Sequence, residues 1–281
     1  MVQRRASPTL PLGLNLQRRR TLLIGTATLA VGCSMPLNRH DSPLPTWVQQ
    51  GAVRVAINHG NAVLARRDAS TGELSGVSVD IARELARRLQ VQVQLLPFDA
   101  ANKSVLAVQS GQADVGFFAI DPLRSQGLQF TAPYVVIEGA YAVPQASPLQ
   151  SPADVDKSGI RVAVAARSAY DLYLSRTIQH ATLIRTTRSD QVVDLMLAQR
   201  LEVAAGVKQQ LERDMQRVPG LRLLQPSFME IHQAMATPAE HPDNVHYLRG
   251  FIEDLKSSGF VRQALTRHRI EGVSVAPPQP Y

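Results

Sequence analysis

Arg124, Asp121 and the turn Arg167-Ser168-Ala169-Tyr170 are the residues of this chain whose types and positions suit recognition chemistry. Arg124 follows a short apolar run, Val115 to Ile120, that reads as a buried strand. Asp121-Pro122 fits a helix N-cap followed by proline at the first helical position, which predicts Arg124 in the first turn of a helix. A guanidinium there could grip a carboxylate through two parallel charge-assisted hydrogen bonds. As a plain surface arginine it would be mildly disfavoured at the positive end of the helix dipole. Asp121 reads as a structural cap, or as a carboxylate placed to hold an ammonium group. Arg167 to Tyr170 lie between a second apolar run, Ile160 to Ala165, and a helix from Tyr170 onward. Free N–H groups at a helix start form an anion site, to which Ser168 could add a hydroxyl. Arg167 either points away as a solvated charge or points inward as a second cation. Asn58, His59 and Asn61 make a polar lip after the first strand.

Other chemistry is not visible. His241 and His246 are five apart in a proline-containing stretch, and the seven histidines show no metal-ligand spacing. There is no glycine-rich phosphate loop and no Gly-x-Ser-x-Gly element. Neither a metal nor a cofactor is expected, and no acid–base or nucleophile constellation identifies an enzyme.

The elements that must position these residues alternate between strand and helix. Val53–Ile57 and Val91–Leu95 read as strands, and Gly76 to Leu89 as a loop feeding an amphipathic helix with Ile81, Leu85 and Leu89 on one face. A second helix closes at Gly111. Ala140 to Val143 begins a crossing into a second lobe. There Ile160–Ala165, Leu183–Thr186 and Glu202–Val207 are strands, and Asp190–Gln199 is a helix capped by Ser189. Leu106–Val115 and Leu195–Val203 echo each other as helix, tight turn and strand. Val245 to His268 is helical, and the proline-rich end reads as disordered.

The order of Gly76-Val-Ser-Val-Asp-Ile-Ala82, Gln109-Ser-Gly111, Asp114-Val115, Asp121-Pro-Leu-Arg124 and Phe130-Thr-Ala-Pro-Tyr134 resembles the amino-acid-binding type of periplasmic solute-binding protein of ABC transporters, family 3. The resemblance covers roughly residues 50 to 270. It implies an α/β, two-lobed type II periplasmic-binding-protein fold, each lobe a central mixed sheet flanked by helices, joined by a two-segment hinge. The implied division is first lobe 50–139, second lobe 140–233 and a return segment 234–272. The implied function is delivery of a small carboxylate-bearing solute, an amino acid or related organic acid, to the permease of an ABC importer by hinge closure. The implied ligand contacts are Arg124 for the carboxylate, with Asp121, Ser168, Ala169, Tyr170, Asn58 and Asn61 around it. A monomer with no nucleic-acid partner is expected.

Several departures bear on the ligand. The family's aromatic residues near the first strand are replaced by the Asn58–Leu64 loop, and a usual glycine by Arg167. The family's ammonium-binding aspartate has no counterpart in Glu202-Val-Ala-Ala-Gly-Val207. A buried ammonium without a counter-charge is costly. Asp121 or Glu138 replaces the aspartate, or the ligand carries no ammonium. The same fold also hosts dehydratases of prephenate-like acids, the alternative function. These need a carboxylic acid of raised pKa, for which Glu138 and Asp121 are the nearby candidates.

The first 20 residues carry five arginines and no acid, and Thr21 to Gly32 is an apolar run too short to span a membrane. Residues 1–32 read as a signal peptide. Arg19-Arg20-Thr-Leu-Leu23 resembles a twin-arginine export signal or is an ordinary basic leader. Cys33, the only cysteine, sits in Leu29-Ala-Val-Gly-Cys33, which resembles a lipobox with Leu29 one position early. The expectation is a periplasmic, lipid-anchored protein with a tether over 33–49 and a tail over 273–281. The chain has 30 basic and 23 acidic residues, net +7, and removing the leader's five arginines leaves net +2. The basicity therefore belongs largely to the leader and does not point to nucleic acid.

Overall fold

Residues 44–280 are described by a computed structural model. A 3-10 turn over Thr46–Gln50 enters β1 (Ala52–Asn58), and a short hairpin of β2 (Arg66–Arg67) and β3 (Leu74–Ser75) precedes α1 (Val77–Leu89). Next come β4 (Gln92–Phe98), α2 (Ala101–Gln109), β5 (Val115–Ala119) and the 17-residue β6 (Leu128–Pro144). The second half contributes β7 (Arg161–Ala165), α3 (Ala169–Thr177), β8 (Thr182–Thr186), α4 (Val192–Ala198), β9 (Val203–Val207), α5 (Lys208–Arg217) and β10 (Leu221–Leu223). The chain returns through β11 (Met229–Pro238) to α6 (Pro242–Ser257), α7 (Phe260–Arg267) and β12 (Ser274–Val275).

The strands follow the order β4-β1-β5-β11-β6-β9-β7-β8, with β10 and β12 also paired to β6. β1 lies parallel to β4 and β5, and β7 lies parallel to β8 and β9. Each half is thus a strand–helix–strand layer with the helices closing its faces. The antiparallel pair β6 and β11 links them, and β6 pairs with β9 in the second half. Two main apolar cores result, with a smaller cluster around Ala56, Val108, Phe118 and Leu128 on the other face of the first lobe's sheet. One main core is built on Val53, Val55, Ile81, Leu85, Tyr134 and Leu248, the other on Val143, Val162, Leu174, Met196 and Leu211. Two cores joined by two continuous strands give two lobes with a double hinge.

Local sequence explains the entry to α1. Gly76 has φ 124°, and a Cβ there would stand 2.4 Å from the carbonyl oxygen of Leu64. Only glycine accepts that backbone and that approach. Ile81, Leu85 and Leu89 then recur on the buried face with Ala82 and Ala86 beside them.

Some expectations are corrected. Asp121-Pro122 starts no α-helix. The segment forms a turn and a 3-10 turn over Arg124–Gln126, because Gly127 and the run from Leu128 commit the chain to β6. Ser189 does not cap the next helix but lies inside a 3-10 turn over Ser189–Gln191, ahead of α4. The expected Val245–His268 helix breaks at Gly259, with φ 78°, into α6 and α7.

Both ends expected to be loose are docked where described. From the 33–49 tether, Trp47 is 1% exposed in the first core, and Thr46 N–H donates to Asn244 Oδ1 at 2.9 Å. From the 273–281 tail, β12 pairs with β6 and Ala276 N–H donates to Tyr134 O at 3.1 Å. The tail meets a buried ion pair on α6, Lys256 Nζ to Glu253 Oε1 at 2.7 Å. Lys256 Nζ donates to Pro277 O at 2.9 Å, and Gln279 N–H donates to Glu253 Oε2 at 3.2 Å. A buried pair needs such added hydrogen bonds, and the tail supplies them. Residues 1–43, including the leader and Cys33, lie outside the described residues. Among the described residues, no helix is long and apolar enough to cross a membrane.

Candidate functional site

Between the lobes lies a cavity of about 60 Å³. That is space on the scale of several waters, which a small solute fills. The first lobe lines it with Asn58 and Asn61 beyond the end of β1, Ser78 at the start of α1, Phe117 and Ala119 of β5, Arg124, and Ile231 and Gln233 of β11. The second lobe contributes Ser168, Ala169 and Tyr170 after β7, Ser189, Gly206 and Val207 at the end of β9, and Gln210 of α5. Asn58, Asn61, Ser168 and Gln210 lie at or follow the carboxyl ends of parallel strands, where open α/β sheets place ligands, whereas Ile231 and Gln233 come from antiparallel β11.

Arg124 is 5% exposed. Its Nη1 donates to Ala119 O at 3.1 Å, and its Nη2 reaches across the cleft to donate to Arg167 O at 3.1 Å. It forms no ion pair with any carboxylate among the described residues. Burial lowers its pKa to about 10, with Asp121 acting in the opposite direction and Arg167 adding to the lowering. The guanidinium remains a full cation at neutral pH.

Asp121 is buried but does not line the cavity. Its Oδ1 accepts from Leu123 N–H at 2.9 Å, an Asx turn, and its Oδ2 pairs with Arg176 of α3 at 2.8 Å. It therefore closes a turn and bridges the lobes, and the reading that it faces an ammonium group is corrected. Glu138 likewise lies off the cavity, held by Lys208 Nζ at 2.6 Å and Ser227 Oγ at 3.1 Å. The hydrogen bond from Lys208 is the main cause of its lowered pKa.

Ser168 is the N-cap of α3, its Oγ accepting from Asp171 N–H at 3.1 Å. The N–H groups of Ala169 and Tyr170, at the first helical positions, have no acceptor within the helix and border the cavity. Tyr170 is 2% exposed, and its hydroxyl donates to Ser189 Oγ at 3.3 Å. Burial raises its pKa, so it stays a neutral phenol. Arg167 has φ 57°, a left-handed backbone that favours glycine. It serves Arg124 through its carbonyl, and its side chain is not part of the cavity lining. Of the expected polar lip, Asn58 and Asn61 line the cavity and His59 does not. Asn58 Oδ1 is taken by Gly60 N–H at 3.1 Å.

Sequence reasoning missed Ser78, Ser189, Gln210, Gln233 and Ile231. Gln233 and Ile231 sit on β11, and only the alternation of Met229-Glu-Ile-His-Gln233 hints at that strand. Ser78 belongs to the recognised Gly76–Ala82 segment, but its contact is distant in sequence: Ser78 Oγ lies 3.2 Å from the hydroxyl of buried Tyr134. Among the described residues the lining contains no Asp, Glu, Lys or His, and Arg124 is its one charged side chain. Among the described residues no cluster of His, Cys, Asp and Glu could hold a metal.

No curated protein sequence is significantly similar to the chain. Solved structures share its fold. A binding component of an ABC transporter from Wolinella succinogenes, complexed with lysine, aligns with TM-score 0.68 and 20% identity over 78% of this chain and 95% of that one. A solute receptor for L-cysteine of Neisseria gonorrhoeae gives TM-score 0.70 and 20% identity over 80% and 93%. An ancestral amino acid-binding protein, described as a precursor of cyclohexadienyl dehydratase, gives 0.68 and 17% over 79% and 96%. At these identities the likeness concerns the fold. The sequence itself goes further: its residues 53–269 match the bacterial extracellular solute-binding proteins, family 3, so the two-lobed chain with its interlobe cavity belongs to that family.

Proposed function

We propose that the protein is a receptor for a small carboxylate-bearing solute, an amino acid or related organic acid, which it encloses by hinge closure and hands to the permease of an ABC importer. The observation that carries this is Arg124: a buried cation in the cleft, without a carboxylate partner among the described residues, facing the open N-terminus of α3. A carboxylate bound there gains a charge-assisted fork from one lobe and backbone N–H groups from the other. A ligand touching both lobes favours the closed state by its differential contacts. Two contacts between the lobes stand beside the cavity, Arg176 with Asp121 at 2.8 Å and Gln209 Nε2 donating to Gly272 O at 2.8 Å. A thermal-shift screen of the purified chain against amino acids and organic acids tests the reading. A true ligand at a hundred times its Kd should stabilise by about 2.7 kcal/mol. A screen in which only cations or uncharged sugars stabilise the protein would sink it.

Binding is favoured over dehydration of a prephenate-like acid. That reaction needs a carboxylic acid in the cleft, whereas the lining holds none and the pKa of Glu138 is lowered. The same receptor role fits export through the leader at 1–32 and lipidation of Cys33, which would tether a periplasmic monomer to a membrane near its permease. Cys33→Ser should release the protein from the membrane fraction or leave it unprocessed. Membrane fractionation identical to wild type would remove the lipid anchor from this reading.

A further inference from the structure

Charge balance in the cavity narrows the ligand class. Arg124 brings one positive charge to the lining, and no lining side chain is acidic. The carboxylates packed just behind the lining are already engaged. Asp121 pairs with Arg176 at 2.8 Å, and Asp171 with Arg185 at 3.0 Å. Asp214, which accepts from Gln210 Nε2 at 3.2 Å, pairs with Arg217 at 3.2 Å. The carbonyl oxygens of Ala119 and Arg167 are used by Arg124 itself. Beyond Gln210 stands another cation, half-buried Arg213, whose Nη2 donates to Gln210 Oε1 at 2.8 Å. Burial and the nearby Arg66 both lower its pKa.

We infer that the site selects a small carboxylate with no ammonium group, such as a 2-hydroxy or 2-oxo acid, over the amino acid of the same carbon skeleton. The inference rests on the carboxylate reading above. An anion neutralises Arg124 and leaves the closed cavity without net charge. A zwitterion brings its carboxylate to Arg124 but adds an ammonium with no acidic side chain in the lining to meet it, in a cleft that hinge closure withdraws from water. A desolvated, unpaired ion is the costly case. The neutral polar lining suits the alternative substituents. The Asn61 and Gln233 amides and the Ser78 and Ser189 hydroxyls offer both donors and acceptors to a hydroxyl or keto oxygen. Leu64, Phe117 and Ile231 supply an apolar wall for a short carbon chain.

Val207 offers a direct test. It lines the cavity and is the N-cap of α5, with no side-chain cap hydrogen bond. Aspartate is a favoured N-cap residue, so Val207→Asp adds a negative charge beside the cavity at a position the backbone already suits. The experiment is calorimetric titration of the purified chain with matched pairs: lactate against alanine, and 2-hydroxyisocaproate and 2-oxoisocaproate against leucine. Arg124→Ala serves as control. The hydroxy or oxo acid should bind at least about tenfold more tightly than its amino acid, and Val207→Asp should narrow that ratio by a similar factor. A wild-type ratio below tenfold, or amino acids preferred, with binding still lost in Arg124→Ala, overturns the inference and leaves the receptor for carboxylates standing. An unchanged ratio in folded Val207→Asp overturns it too. No binding by either series, or binding indifferent to Arg124→Ala, removes the carboxylate reading and the inference with it. The wild-type ratio decides even if Val207→Asp does not fold.

Discussion

Arg124→Ala is expected to reduce ligand affinity by about 2–5 kcal/mol, or roughly thirty-fold to several thousand-fold, while the fold stays intact by circular dichroism. The size follows from the setting. The guanidinium is almost fully buried, its two named contacts are to carbonyl oxygens, and none of the lining side chains is another cation able to take its place. A ligand carboxylate left in that space without Arg124 is desolvated and paired only with neutral groups. The contact also spans the lobes through Arg167 O, so the variant loses part of the closed state along with the ion pair. Arg124→Lys should recover only a fraction. An ammonium keeps the charge but cannot present a planar fork to two carboxylate oxygens. Calorimetry on wild type and both variants decides. Equal affinity of Arg124→Ala and wild type would show that the carboxylate is held elsewhere.

The sequence disclosed those parts of the molecule whose cause is local. α1 was legible because Ile81, Leu85 and Leu89 repeat at helical spacing after a glycine that must be glycine. β7 and the start of α3 were legible because an apolar run gives way to Ser168 at a capping position. Arg124 could be singled out from its place after β5, yet the helix expected around it was wrong. Cap and proline signals favour a helix, but they were overridden by the pull of the chain into β6, whose register is set by partners far away in sequence. The same cause hid Ile231 and Gln233. They reach the cavity only because β11 returns between β5 and β6, a topological fact that no short window contains. Asp121 shows the opposite error. Its proximity in sequence to Arg124 suggested the cavity, whereas its two oxygens are taken by a turn amide and by Arg176. The missing acid in Glu202–Val207 was visible from sequence. That none of the described side chains lining the cavity is acidic became visible only from the structure.

Trp47→Ala is expected to destabilise the protein by about 3–5 kcal/mol, lowering the melting temperature by on the order of 10 °C. Composition alone places Trp47 in a proline-rich lead-in to the globular part, where its loss would matter little. The structure instead has it 1% exposed, packed in the first core, on a 3-10 turn whose Thr46 hydrogen-bonds to Asn244 near the start of α6. Removing an indole there leaves a cavity that the flanking β1 and α6 cannot fill without moving. Trp47→Phe separates packing from polarity. The indole Nε1 is buried with no acceptor among the described residues. Phenylalanine gives up some apolar area but also removes that unpaired donor, whose burial costs about 1–3 kcal/mol. The two effects offset each other, and Trp47→Phe should lie within about 1.5 kcal/mol of wild type. Denaturant unfolding of the three proteins, with the slope compared as well as the midpoint, measures both differences. A Trp47→Ala variant as stable as wild type would return residues 44–49 to the role of a tether and place the true edge of the first lobe at β1.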